Sequence, residues 1–249
     1  MPSNASLQIC DTALTAEADA LLHHLARYRL SVMTAVERLP EFVSWRTRRI
    51  KAVLRTCERQ SLIRASWLHQ GVRCWCLAPA GAAHCGLPAE RSGKLSESAK
   101  LRAFSLLQFC CLGSEPRRRL STAELIHAFP HLPSTGLPNG YYFDPARAGQ
   151  LGLARLDAHR QGRWDRSLQA LREDIDRHWQ QPDFRRLIQA GRFEITLLTV
   201  FPEKASRLTA ALAEHRDAGR IPVRCLALPE LLPLITSLPR KEVLRHSRP

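Results

Sequence analysis

Seven cations fall between Ser44 and Arg64, namely Arg46, Arg48, Arg49, Lys51, Arg55, Arg59 and Arg64, against a single acid, Glu58. That local net charge of +6 within 21 residues is a large share of the chain's +14. Guanidinium forks match phosphate oxygens and guanine edges in planar, two-pronged geometry, so the chemistry on offer is recognition of a nucleic acid. A second grouping, Cys74, Cys76, His84 and Cys85, contains metal-ligand types. It lacks the paired C-x2-C spacing of structural zinc sites and is read as holding no metal. No serine occupies a nucleophile elbow and no glycine-rich phosphate loop follows a strand, which argues against a hydrolytic triad and a nucleotide-driven enzyme.

The basic residues need a scaffold that points them one way. Within residues 44–60, Ile50, Val53, Leu54 and Cys57 recur at i, i+3, i+4 and i+7, which predicts a helix capped by Ser44 with one apolar stripe. At 100° per residue, Arg48, Lys51, Ala52, Arg55 and Arg59 take the opposite side, with Trp45 and Arg49 flanking them near the start. Upstream, Ala18, Leu21, Leu22 and Leu25 predict a helix capped by Thr15, and residues 32–39 read as a short second helix that ends before Pro40. Downstream the period falls to two: Ile63, Ala65 and Trp67, a turn at His69-Gln70-Gly71, then Val72, Cys74 and Cys76. Three helices followed by a hairpin form a winged helix-turn-helix, whose third helix enters the major groove while the hairpin touches neighbouring backbone. Residues 1–90 are assigned to this unit.

Residues 91–139 read as a helical connector. It holds a helix over 96–111 with Leu101, Phe104, Leu107 and Cys111 on its apolar face, and the triplet Arg117-Arg118-Arg119 ahead of a Ser121/Glu124 capping box. Pro130, Pro133, Gly136, Pro138 and Gly140 then mark a boundary. Residues 140–249 alternate: strands at 140–144 and 151–157, a helix at 165–179, a strand at 193–201, a helix at 203–218 with Gly219 as C-cap, a strand at 221–228 and a closing helix from Leu231. That order predicts a small α/β sheet with right-handed crossovers, and the whole chain an α+β or α/β protein.

The bulk properties agree. A length of 249 residues allows one large or two modest domains, and 45% apolar content excludes a collagen-like or wholly disordered chain. No run of 18 apolar residues is present, so no spanning helix and no membrane partner are expected. Residues 1–11 lack the charged-then-apolar order of an export signal, and the eight cysteines read as reduced, so a cytoplasmic protein is expected. A pI near 10.2 favours a polyanionic partner.

Most of the chain resembles the replication-relaxation proteins of plasmids and integrative elements. The resemblance lies in the Arg-rich segment from Trp45 to Arg59 leading into Leu62-Ile63, and in the exit Leu77-Ala78-Pro79-Ala80-Gly81. It continues in Gly140-Tyr141-Tyr142-Phe143-Asp144, in Leu153-Ala154-Arg155-Leu156-Asp157 and in the stretch 195–201. It implies a DNA-binding protein of a mobile genetic element, with a carboxy-terminal domain similar to a degenerate restriction-endonuclease-like fold. Metal-dependent phosphodiester cleavage needs carboxylates that hold Mg2+ and often a lysine beside them. Here Asp144 and Asp157 take the acidic positions, and His159 stands where lysine is expected. The reading is therefore double-stranded DNA binding without catalysis, with an Mg2+-dependent nuclease using Asp144, Asp157 and His159 as the competing reading. An adaptor for other proteins of a replication or transfer complex is a third, and a homodimer is compatible with all of them. The expected DNA-binding residues are Trp45, Arg46, Arg48, Arg49, Lys51, Ala52, Arg55, Arg59, Arg64 and Arg73. Trp45, Arg48, Arg49 and Ala52 are assigned to base edges, and Lys51, Arg55, Arg59, Arg64 and Arg73 to phosphates.

Overall fold

The computed structural model describes residues 14–69, 71–115, 117–133, 135–147, 149–158, 164–214 and 219–237. It is a mixed α+β protein with two sheets. Helix α1 (Ala16–Tyr28) starts where expected, with the Thr15 hydroxyl accepting from the Ala18 N–H at 3.3 Å. It buries Leu21, Leu22 and Leu25 completely. Its C-cap, Arg29, adopts the left-handed conformation at φ 70°. The expected second helix is shorter than its sequence pattern, because Ser31–Val32 (β1) pairs with a later strand and leaves only Met33–Val36 (α2) helical. A 3-10 turn, Pro40–Phe42, follows.

Helix α3 (Thr47–Arg59) begins after Arg46, so Ser44 is not its cap. Phe42 is buried and Trp45 packs edge-on against it at 5.4 Å between ring centroids. The Trp45 N–H bonds the Phe42 carbonyl at 2.9 Å, which keeps residues 43–45 in a separate turn. Strands β2 (Ile63–His69) and β3 (Val72–Leu77) form the expected hairpin around Gly71, whose φ of 79° suits a residue without a side chain. β1 adds antiparallel to β3, giving the order β1-β3-β2. Helix α4 (Pro79–His84) occupies the expected proline-glycine exit. There Gly81 lies so close to the chain that a Cβ would stand 2.0 Å from the Leu62 carbonyl oxygen.

Helix α5 (Glu97–Leu107), capped by Ser96, continues into a π-helical turn, Gln108–Leu112. The short strand β4 (Arg118–Arg119) and the capping-box helix α6 (Thr122–Ala128) follow. The second sheet has the order β4-β5-β6-β7-β8. Within it β5 (Tyr141–Asp144) and β6 (Gln150–Asp157) are an antiparallel hairpin, while β6, β7 (Phe193–Thr199) and β8 (Val223–Ala227) run parallel. The sheet is therefore mixed, not built of crossovers alone. Helix α7 (Trp164–Gln180) and helix α8 (Pro182–Gln189) link β6 to β7. The sequence pattern did not separate α8, which begins at Pro182 because proline cannot donate into α7's ladder. Helix α9 (Pro202–Ala213) ends at a Glu214 C-cap rather than at Gly219, and helix α10 (Leu232–Ser237) closes the described chain. Among the described residues no helix is long and apolar enough to cross a membrane.

Side chains from the two faces of this second sheet enter different cores. Leu151, Leu153, Phe193 and Ile195 pack with Leu171 and Ile175 of α7 and Phe184 of α8. Tyr142, Ala154, Leu198 and Val200 instead join Leu101, Phe104 and Leu107 of α5, together with Val32, Leu68 and Cys76 of the first sheet. Helix α5 thus lies in the apolar layer between the sheets. The third core, made by α1, α3 and the other face of the β2–β3 hairpin, holds Ile50, Leu54 and Cys57.

Candidate nucleic-acid interface

Helix α3 is divided as its sequence period requires. Ile50, Leu54 and Cys57 are buried, Val53 is half-buried, and Arg48, Arg49, Lys51, Ala52, Arg55 and Arg59 are exposed. Arg46, at the N-cap, is exposed as well. Among the described residues none of Arg46, Arg48, Arg49, Lys51, Arg55 and Arg59 has a carboxylate within ion-pair distance. Arg59 donates to the Thr56 hydroxyl at 3.1 Å, and Arg49 lies over the Trp45 ring at 3.5 Å from its centroid. Trp45 is half-buried on Phe42, so the Arg49 guanidinium is held over a fixed platform by cation–π attraction.

Glu58, the only acid of the segment, is turned inward. Its Oε1 accepts from the Trp75 indole N–H at 2.8 Å and from Arg73 at 3.2 Å. Arg73, expected on phosphate, is therefore held against Glu58, although its side chain remains 53% exposed. Arg64 departs further. It pairs in register with Cys76, and Ser66 with Cys74, which puts it on the sheet face opposite Ile63, Trp75 and Leu77, the residues packed with α3. Arg64 is half-buried, with its Nη2 lacking a partner, and the structure does not bring it to the α3 surface. Trp67, by contrast, is cross-strand partner to Arg73 on the α3 side of the hairpin and is 65% exposed. Its alternation with Ile63 and Ala65 marked it as a strand residue of that face. Only its position past the edge of the core shows that nothing among the described residues covers it.

The acidic candidates are not brought together. Asp144 pairs in register with Gln150 at the hairpin turn, and Asp157 ends the eight-residue strand β6, so the two backbones lie about 23 Å apart at ~3.3 Å per residue. Each carboxylate also has cationic partners of its own. Arg117 donates to Asp144 Oδ2 at 3.1 Å, and the Ala146 N–H to Oδ1 at 3.1 Å. Lys204 Nζ stands 2.7 Å from Asp157 Oδ2, which also accepts from Ser167. Asp144, Asp157 and Lys204 are all buried. These residues do not fit an Mg2+ centre, since one ion cannot bridge them and each already has its counter-charge. His159 lies outside the described residues. Among the described residues no group of three His, Cys, Asp or Glu side chains is placed to hold a metal ion. Cys74 and Cys76 pack in the layer between the sheets, Cys85 packs against the α1–α3 core, and His84 bonds Asp19 at 2.7 Å.

The arginine triplet faces inward for two of its three members. Arg117 is buried on Asp144 and over the Phe109 ring, and Arg119 is buried with a 2.6 Å bond to the Arg27 carbonyl. Arg118 is exposed and paired with Glu124. Compared with protein-family profiles, curated proteins and solved structures, the chain gives no match.

Proposed function

We propose that the chain binds double-stranded DNA, with α3 seated in the major groove and the β2–β3 hairpin beside it as a wing. The observation that carries this is the outward face of α3: Arg46, Arg48, Arg49, Lys51, Arg55 and Arg59, which have no paired acid among the described residues, on a helix whose other side is buried. A merely solvated helix face mixes signs, and a duplex supplies the counter-charge that this one lacks. The order of helix, short strand, two helices and hairpin supports a winged helix-turn-helix, in which residues near the start of the third helix reach base edges. That role falls to Arg48, Arg49 and Ala52. Lys51, Arg55 and Arg59 take phosphates, and Trp67 with Arg73 flank them from the hairpin. The likeness to replication-relaxation proteins adds the setting, a plasmid or integrative element whose replication, transfer or transcription the protein serves. The second sheet then serves as scaffold or protein contact, because the positions of Asp144 and Asp157 give cleavage no support.

Selection of bound duplexes from a randomised library tests the reading. An enriched motif that Arg48→Ala and Arg49→Ala proteins fail to enrich is the expected result. Recovery of no DNA above background would overturn it.

A further inference from the structure

A cavity of about 490 Å3 lies between the end of α1, helix α5, strand β4 and strand β6, within the volume range that holds ligands of cofactor size. Five arginines line it (Arg29, Arg91, Arg102, Arg119 and Arg155), and no carboxylate does. Arg155 is already committed, its Nε donating to Asp174 Oδ2 at 2.7 Å. Among the described residues the other four have no acidic partner. Arg119 is 8% exposed and its guanidinium donates to the Arg27 carbonyl at 2.6 Å. Arg91 donates to the Ala26 carbonyl at 3.0 Å. Both carbonyls belong to the last turn of α1, whose negative end is equivalent to about half a charge. That offsets only part of three guanidiniums carrying five N–H donors each. Arg29 gives the helix end no side-chain bond, and its Nε is buried without a partner. Burial, followed by the charges of Arg91 and Arg29, lowers the Arg119 pKa to about 10, and burial with Arg29 lowers that of Arg91.

We propose that this cavity binds a small molecule bearing at least a diphosphate, of nucleoside di- or triphosphate size. Its phosphoryl oxygens lie on Arg29, Arg91 and Arg119, and its uncharged part on the wall of Leu101, Leu106 and Leu156. A diphosphate is the smallest such group that carries about three negative charges, and bidentate arginine contacts suit its oxygens. Arg102, exposed on α5, stands at the mouth. None of the lining residues belongs to α3 or to the hairpin, so this site goes beyond the DNA surface.

Titration calorimetry of the full chain at fixed ionic strength tests it, with pyrophosphate, ADP and ATP as ligands and inorganic phosphate and AMP as controls. Pyrophosphate, ADP and ATP are expected to bind, and the controls about tenfold or more weaker. Arg29→Gly keeps a residue suited to φ 70°, so its melting temperature should hold while affinity falls about tenfold. Arg91→Gln and Arg102→Ala provide independent readings in the same direction. An Arg55→Gln/Arg59→Gln protein, altered only on α3, should bind the ligand unchanged. No binding by the wild-type chain at millimolar ligand would overturn the proposal, as would binding lost only in the α3 variant. Duplex DNA affinity that falls in Arg29→Gly, with no binding of the small ligands, would assign the cavity to a DNA phosphate and also overturn it.

Discussion

Arg48, Arg55 and Arg59 share one exposed face but are assigned different work. Arg48 lies in the first turn of α3, where side chains reach base edges. Its replacement by alanine is expected to weaken binding to a preferred site by about 1–3 kcal/mol and to leave random duplex nearly unaffected. Equal losses on both duplexes, measured by competition anisotropy, would remove its base-reading role. A different kind of test concerns His24, 5% exposed and bonded to the Ser31 hydroxyl at 2.9 Å. Burial, helped by Arg27, lowers its pKa to about 4 from an ordinary 6.5. Because the folded value is the lower one, the unfolded chain takes up the proton first as pH falls. Stability is complete above pH 6.5 and declines toward pH 4, by about 3 kcal/mol at most from this group. Denaturant melts across that window should show the decline in the wild-type chain and a shallower one in His24→Gln. The helical face of α3 was legible because its residues repeat on one rod. The fates of Arg64 and Arg73 were not, since cross-strand register and the Glu58 carboxylate decide them, and neither is visible along the chain.

Elements whose signals are local came through the sequence intact: α1 with its Thr15 cap, the β2–β3 hairpin, and α6 with its Ser121/Glu124 capping box. Elements decided by distant pairing did not. Val32 reads as helical from its neighbours but pairs in register with Cys74 in a sheet, and Ser44 loses its capping role to the turn that Phe42 and Trp45 build. The strands β5 and β6 were placed, yet their antiparallel pairing, which parts Asp144 from Asp157, depends on a turn that periodicity does not describe. Close approach leaves Gly81 no room for a side chain. Alanine there would drive a methyl into the Leu62 carbonyl, forcing α4 off the hairpin at an expected loss of about 1–3 kcal/mol in denaturant unfolding. Leu54→Ala, on the buried side of α3, should cost about 2–5 kcal/mol and loosen the rod that aims the arginines.

Across the whole molecule, charge and apolar surface are partitioned. A net +6 of the +14 lies within residues 44–64, and four further arginines, without acidic partners among the described residues, converge on the cavity beside α5. The apolar layer around α5 joins side chains of both sheets, so the two halves should melt as one cooperative unit. Phe104→Ala, in that layer, is expected to lower stability by about 3–5 kcal/mol while keeping a single calorimetric transition. Two separated transitions in the wild-type chain would contradict the shared layer. The salt dependence of duplex binding, compared between the wild-type chain and the Arg55→Gln/Arg59→Gln protein, tests the DNA reading most directly. The expected log–log slope falls by about 0.9 for each phosphate contact removed, or about 2 for the pair. A wild-type affinity indifferent to salt, or a slope that the double substitution leaves unchanged, would contradict the assignment of α3 to the duplex.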